Sequence, residues 1–274
     1  MKRRQFLASV GASCAWIATA SRSLAAQGPA WQPDGAGTRA RIGVLTPDFD
    51  PVPESEAWAM APRGVLINAS RVPWKPSDAR TFADPPNVDM AVERLAAMKP
   101  QVILYAFTSS SYMLDTDADK ALRERLEERA QGVPVVLAAE AASEALRAMN
   151  LRRIAVVHPP WFDEETNERG GDYFRNAGFE IVSCAPMTPA RPFEEVSAAE
   201  VHDWVKTNVP RQAEGVLIAG SGLRAVGAIQ ALEASLSRPV LTANQVTFWQ
   251  GLRVVGITAS ISDYGRLFRR AAQQ

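Results

Sequence analysis

Two short polar segments have the residue types and the sequence position that anion binding requires. Residues 108–111 carry four consecutive hydroxyl side chains directly after the apolar run 102–107, and residues 220–222 (Gly-Ser-Gly) follow the apolar run 216–219. Hydroxyl groups and unpaired backbone N–H groups ahead of a helix favour a negatively charged ligand. Ligands of α/β proteins bind at the carboxyl ends of strands. We therefore expect the two segments to face each other and hold one small carboxylic acid.

Arg224 and His158 are further candidates near these segments. The pattern 223–229 predicts a helix, and Arg224 would lie in its first turn, where its guanidinium could fork onto a second carboxylate. The alternative is an ordinary surface arginine that pairs with a neighbouring acid. His158 lies at the end of a predicted strand. It either borders the cleft or lies away from it. His202 lies in the middle of a predicted helix, which indicates a solvated surface position.

Other common chemistries lack the residues that they need. The chain has two histidines, and no cluster of His, Cys, Asp or Glu has metal-ligand spacing, so we expect no metal site. No Gly-x-Gly-x-x-Gly follows the first predicted strand, which argues against a dinucleotide. Segment 220–222 lacks the flanking residue and the partnered histidine of a serine hydrolase. We therefore predict a site that works without a metal or a cofactor.

Residues 1–26 have the pattern of an export signal. Paired arginines, Arg3 and Arg4, precede Phe-Leu, a mildly apolar stretch follows, and residues 23–26 (Ser-Leu-Ala-Ala) suit signal peptidase. This pattern predicts recognition by the twin-arginine export machinery and a periplasmic location. We expect no stable membrane insertion once the signal is removed. Residues 27–40, rich in Gly, Pro and Ala, are predicted to form a flexible leader.

The charge and the cysteines of the remaining chain exclude further classes. The whole chain has a formal net charge of zero, and removal of residues 1–26, with four basic and no acidic residues, leaves about −4. A weakly acidic protein argues against nucleic acid and anionic membranes as partners. Cys184 is the one cysteine left after cleavage, so no disulfide within the chain is expected and a structural role is favoured.

Strand and helix patterns alternate from residue 41 onward, which predicts an α/β fold with parallel sheets. We expect two halves with a ligand cleft between them. The first half is residues 41–140, completed by residues 245–274, and the second is residues 141–244. The predicted strands number about four in the first half and three in the second.

Two local predictions concern a loop and a helix cap. Segment 47–54 contains three prolines and is predicted to be a loop at the carboxyl end of the first strand, where loops often reach a ligand. Asn87 or Asp84 is predicted to cap the helix that leads to run 102–107.

Five short segments, spread over about residues 41–268, carry a resemblance to a known family. They are Thr108-Ser109, 152–155 (Arg-Arg-Ile-Ala), 167–169 (Asn-Glu-Arg), Gly222-Leu223 and 264–268 (Tyr-Gly-Arg-Leu-Phe). In these segments the chain resembles the arylmalonate decarboxylase and maleate cis-trans isomerase group of the aspartate/glutamate racemase superfamily. The resemblance implies two flavodoxin-like (Rossmann-like) halves, related by a pseudo-two-fold axis, with a carboxylate held between them. It also implies the residues that line the carboxylate pocket, which are Thr108, Ser109, Ser221 and Gly222, with Tyr112 nearby.

One departure from this group concerns the reaction. Its enzymes use a cysteine at one or both of the turns that follow the two apolar runs. The corresponding positions here are Phe107, just before segment 108–111 (the first turn), and Gly220, in segment 220–222 (the second turn). Phe107 is expected to form an apolar wall, and expelling the water around a carboxylate favours loss of carbon dioxide. That reaction also needs a proton donor, for which Ser221, Tyr112 and His158 are the candidates.

Two functions remain open from the sequence. The first is an exported, cofactor-independent decarboxylase or isomerase of a small mono- or dicarboxylic acid that works without the usual cysteines. The second is a periplasmic carboxylate-binding protein without catalysis, which the export signal and the missing thiols favour. A racemase normally needs two opposed thiols and fits the sequence least.

Overall fold

The computed structural model describes residues 37–75, 78–114, 116–258 and 260–271. The predicted signal peptide 1–26 and most of the predicted leader 27–40 lie outside the described residues. Within the described ranges, no helix has both the length and the apolar character needed to cross a bilayer.

Eight parallel strands of the described residues form two four-stranded sheets. In chain order they are β1 (Ala40–Pro47), β2 (Val65–Val72), β3 (Val102–Tyr105), β4 (Val135–Leu137), β5 (Arg153–His158), β6 (Glu180–Pro186), β7 (Gly215–Ile218) and β8 (Val240–Thr242). The sheet orders are β2-β1-β3-β4 and β6-β5-β7-β8, so both halves share one topology. The predicted α/β fold with two flavodoxin-like halves is confirmed. The expected count of three strands in the second half is wrong, because short β8 pairs with β7.

Helices connect the strands, because parallel neighbours require a crossover. In chain order they are α1 (Val52–Met60), α2 (Asn87–Ala96), α3 (Thr108–Met113), α4 (Thr116–Arg129), α5 (Ala138–Ala148), α6 (Glu164–Asn176), α7 (Ala198–Asn208), α8 (Ile229–Leu236), α9 (Ala243–Val254) and α10 (Gly265–Ala271). Short 3-10 helices lie at Ala79–Ala83, Phe193–Glu195 and Val226–Ala228.

Helix α1 begins inside the segment that we predicted to be a loop. Pro51 precedes the helix and Pro53 lies in its first turn. Backbone N–H groups in a first turn have no partner within the helix, so proline removes no hydrogen bond there. The prediction for residues 47–54 is therefore wrong at Pro47, which ends β1, and from Val52 onward, whereas Asp50 stays in the loop after β1.

Two other predicted helix starts are also wrong. Pro86 takes the N-cap position of α2, Asn87 donates to a distant backbone carbonyl, and Asp84 ends the preceding 3-10 helix. A proline with its fixed φ begins this helix without a side-chain cap. Arg224 lies in an irregular segment before the 3-10 helix Val226–Ala228 rather than in a first helical turn.

One apolar core joins the two halves. Helix α5, which follows the first sheet, packs against α9, which follows the second, and α9 also contacts α1 and β3. Buried side chains of this core come from both sheets, including Val44 and Leu104 of the first and Val156 and Leu217 of the second. Full burial of each such side chain contributes roughly 1.5–3 kcal/mol. Helix α10, by contrast, contacts β8 and α8 of the second half.

Candidate active site

The two predicted polar segments meet between the halves. Helix α3 begins at Thr108, so the hydroxyl residues form its first turn rather than the loop that we expected ahead of a helix. Thr108 Oγ1 and Ser221 Oγ are 3.0 Å apart, within hydrogen-bond distance. Both side chains are buried, with 3% and 4% exposure. The carboxyl ends of β3 and β7 therefore lead into one shared site.

A buried carboxylate holds the second turn, residues 220–222, in place. Glu56, on α1 of the first half, accepts hydrogen bonds from the backbone N–H groups of Ala225 (2.8 Å) and Val226 (3.1 Å). Asn244 Nδ2, on α9, donates both to Glu56 Oε2 at 2.7 Å and to the Ser221 carbonyl at 2.8 Å. The backbone on both sides of the turn is thus bonded to side chains that pack on the first half.

Gly220 has a backbone conformation that disfavours any side chain. Its φ is +90°, and a Cβ at this position would lie 2.3 Å from Pro159 Cγ. Residues with a Cβ rarely adopt this φ, and such a contact is a severe clash. A cysteine at this turn, as the resemblance would place it, does not fit unless the proline moves.

The other cysteine position is occupied by an aromatic cluster. Phe107, which precedes α3, lies with its ring centroid 4.9 Å from that of Trp74 and 4.3 Å from that of Phe82. Ring centroids at 4.5–7 Å are typical of favourable aromatic pairs, which covers the contact with Trp74, and the ring of Phe82 packs slightly closer. Phe107 forms the apolar wall that we expected beside the hydroxyl residues.

A cleft of about 690 Å³ opens beside the Thr108–Ser221 contact. Its aromatic lining consists of Phe49, Trp74, Phe107, Trp161 and Phe162, and its small polar lining includes Thr108, Ser109, Gly220, Ser221 and Gly222. Its acidic residues are Asp50, Asp78, Asp163 and Glu194, and its described lining contains no Lys, Arg or His. An anion in this cleft would therefore bind through hydroxyl and backbone groups rather than through a cation.

Asp50 is the acid of this lining that is buried, with 5% exposure. Its Oδ1 accepts a hydrogen bond of 2.9 Å from the Val52 N–H. Burial raises the pKa of Asp50 above its usual 3.8, opposed by that hydrogen bond and by the positive charges of Arg71 and Arg224. The carboxyl group lies against Gly222, where a Cβ would stand 3.1 Å from Asp50 Oδ2.

Tyr112 and His158 lie behind the hydroxyl residues 108–111 rather than in the cleft. His158 is fully buried, and its Nδ1 is 2.8 Å from Asn167 Oδ1 while its Nε2 is 3.4 Å from the Tyr112 hydroxyl. Burial lowers the pKa of His158 to about 4 and raises that of Tyr112. Both side chains are therefore neutral at pH 7, and neither is among the residues that line the cleft.

The structure thus separates the predicted site residues into two groups. The group at the cleft is Phe107, Thr108, Ser109, Gly220, Ser221 and Gly222. The group outside the cleft lining is Tyr112, His158 and Arg224, of which Arg224 is exposed.

Sequence reasoning missed Asp50, Glu56 and Asn244. The prediction that the loop after the first strand reaches a ligand was a signal for Asp50. No comparable signal marks Glu56 or Asn244, because each lies in a helix whose neighbours across the fold are unknown from the sequence.

Two parallel α/β halves of one topology, with a hydroxyl-lined cleft between them, define a two-lobed class of α/β protein. The model of the arylmalonate decarboxylase family matches residues 81–268, and the chain belongs to this family.

Curated relatives agree with this assignment, and solved structures share the fold. The chain is 26% identical over 180 residues to arylmalonate decarboxylase of Bordetella bronchiseptica, covering 64% of this chain and 74% of the relative. It is 26% identical over 253 residues to maleate isomerase of Pseudomonas putida, covering 84% of this chain and 98% of the relative. A Nocardia farcinica maleate cis-trans isomerase mutant with a covalently bound succinylcysteine intermediate shares the fold, with TM-score 0.74, 20% identity and coverage of 84% and 98%.

Glu56 gives a prediction about pH and stability. Burial raises its pKa from 4.5 to about 7, so the folded chain binds this proton more tightly than the unfolded chain. Its contribution to stability is therefore complete below pH 4.5 and is lost as the pH rises through about 7. His158, with a lowered pKa, acts in the opposite direction, so a difference measurement is needed.

We expect the free energy of unfolding of the wild type, minus that of Glu56→Gln, to decrease as the pH rises from about 4 to about 8. Urea unfolding across this range measures the difference, and His158 contributes equally to both proteins. A difference that stays constant or increases with pH would contradict the role of Glu56.

Proposed function

We propose that this chain is an exported, cofactor-independent decarboxylase of small carboxylic acids that carry an apolar or aromatic group, and that it works without a catalytic thiol. The observation that carries the proposal is the 3.0 Å contact between Thr108 Oγ1 and Ser221 Oγ beside an aromatic cleft. Both halves of the molecule contribute one hydroxyl group to this point. A ligand held there touches the carboxyl ends of both sheets, where α/β proteins place their ligands.

The hydroxyl groups of Thr108 and Ser221 supply the hydrogen-bond donors that recognise a carboxylate in the cleft. A hydroxyl group both donates and accepts, so Thr108 and Ser221 can bond each other and then turn their hydrogens toward a ligand oxygen. Gly220 and Gly222 also line the cleft, so their peptide groups lie within reach of a ligand. These donors suit the negative charge that develops on oxygen during decarboxylation.

The residues at the two turns favour decarboxylation over isomerisation. The Nocardia farcinica isomerase mutant carries a covalently bound succinylcysteine intermediate. The resemblance places the cysteines of this group at Phe107 and Gly220, and neither residue can form such a bond. Loss of carbon dioxide breaks a C–C bond and leaves the electron pair on the substrate, so it needs no nucleophile. The aromatic rings beside the hydroxyl pair exclude water, which favours this step.

Removal of one hydroxyl group tests this assignment. Thr108→Val keeps the side-chain volume and removes the donor, so we expect kcat/KM for decarboxylation of phenylmalonate to fall by about 100-fold. Carbon dioxide release and phenylacetate formation measure the rate. The matched control is Thr207→Val on α7, whose hydroxyl donates to the Asp203 carbonyl, and it should leave the rate unchanged.

A wild-type chain that binds phenylmalonate or maleate in a thermal-shift assay, and converts neither, would overturn the enzymatic proposal. That result would instead favour the second candidate, a periplasmic carboxylate-binding protein. Ligand binding raises the free energy of unfolding by RT ln(1 + [L]/Kd), and the melting temperature rises with it, so binding is detectable without turnover.

The export part of the proposal is supported by the paired arginines at positions 3 and 4 and by the small residues 23–26. We expect the full-length chain, expressed in a bacterium with a twin-arginine system, to appear in the periplasm without residues 1–26. Replacement of Arg3 and Arg4 by Lys should keep the uncleaved chain in the cytoplasm, whereas Arg22→Lys should not. Periplasmic delivery of the double variant would contradict the twin-arginine route.

A further inference from the structure

Decarboxylation without a thiol requires another source of the proton that replaces carbon dioxide. Tyr112 and His158 are buried away from the cleft lining, and an unmodified serine hydroxyl such as that of Ser221 is a weak acid. Four carboxylic acids line the cleft, and three of them, Asp78, Asp163 and Glu194, are exposed to solvent. Asp50 differs from these three because it is buried beside the second turn.

The two oxygens of Asp50 have different surroundings. Oδ1 accepts the Val52 N–H at 2.9 Å, which fixes the orientation of the carboxyl group. Oδ2 lies on the side of Gly222, where even a methyl group would approach it to 3.1 Å. Among the described residues, the hydrogen bond to the Asp50 side chain is made to Oδ1. Oδ2 therefore faces the second turn, which carries Ser221. Gly222 has no side chain that could separate this oxygen from the turn.

We propose that Asp50 is the catalytic acid of this cleft and takes the place of the missing thiols. This inference rests on the proposed decarboxylase function. When the C–C bond to the departing carboxylate breaks, its electron pair remains on the α-carbon and carbon dioxide leaves. The Oδ2–H bond of Asp50 then breaks as a C–H bond forms at that carbon. Asp50 is left as a carboxylate, which takes a proton from water before the next turnover.

The charges around Asp50 fit this assignment. Arg71, on β2, donates to the Asp50 carbonyl and forms an ion pair with Glu54, and Arg224 approaches from the second half. Glu56, on α1, is close enough to Asp50 for the two carboxylates to repel each other. Burial outweighs the two arginines and raises the pKa of Asp50, so it stays protonated at a higher pH than an exposed aspartic acid. A protonated Asp50 also removes one negative charge from a cleft that has to accept an anion.

A purely structural role for Asp50 makes a different prediction. Its Oδ1 closes a turn onto Val52 at the start of α1, and an asparagine keeps this acceptor while it loses the acidic proton. Asp50→Asn therefore separates the two roles. If the role is only structural, the variant should keep its rate constant as well as its fold.

We expect Asp50→Asn to lower kcat for phenylmalonate by at least about 100-fold, with KM and melting temperature little changed. The wild-type kcat should fall as the pH rises through the raised pKa of Asp50, because the protonated form is active, and the residual rate of the variant should lack this fall. Asp50→Glu should recover part of the rate. The matched control is Asp48→Asn, an exposed acid of the same loop outside the cleft lining, which should keep the wild-type rate and pH profile.

Each other outcome overturns a specific part of this proposal. An active wild type whose kcat and pH profile survive Asp50→Asn would overturn the role of Asp50 and leave the decarboxylase proposal standing. A wild type without turnover of phenylmalonate would overturn both. Loss of rate with an equal loss in Asp48→Asn would show a general charge effect and would also contradict a specific role for Asp50.

Discussion

The buried carboxyl group of Glu56 is the interaction on which the geometry of the cleft depends. Glu56 projects from α1 of the first half. It accepts hydrogen bonds from two consecutive backbone N–H groups after the second turn and from the side chain of Asn244 on α9. Without it those backbone donors would be buried without partners, at a cost of about 1–3 kcal/mol for each unsatisfied group. Asn244 extends this network to the carbonyl of Ser221, and Ser221 reaches Thr108. One polar network thus aligns the two halves and orients their hydroxyl groups.

The same packing bears on the absence of a thiol from the described lining of the cleft. The turn at Gly220 brings the backbone against Pro159 at a positive φ, and Phe107 is fixed among Trp74 and Phe82. Both positions therefore have structural reasons for their present residues. What remains around the ligand space is oxygen from hydroxyl, carboxyl and peptide groups, together with aromatic rings. This chemistry suits binding of a carboxylate, loss of carbon dioxide and delivery of a proton.

Sequence patterns predicted the features that follow from chain direction. Apolar strands that end in small polar residues identified Thr108 and Ser221, because parallel strands place their carboxyl ends on one side of a sheet. Alternation of strands and helices predicted both halves in the same way. Tyr112 lies in the helix after β3 and His158 ends β5, but their side chains point into the packing behind the cleft. Nothing in their local sequence distinguishes these two directions, because contacts with α6, through Asn167 and Gly170, decide them.

The central claim is that Thr108 and Ser221 together bind the carboxylate of a small acid. A crystal structure of the protein soaked with phenylacetate tests it most directly. The expected result is a carboxylate oxygen within about 3.2 Å of Thr108 Oγ1 and Ser221 Oγ, with the ring against Phe107 or Trp74. Phenylacetate bound instead in the separate cavity lined by Tyr112 and Tyr173, or two hydroxyl groups that face different surfaces, would contradict the claim.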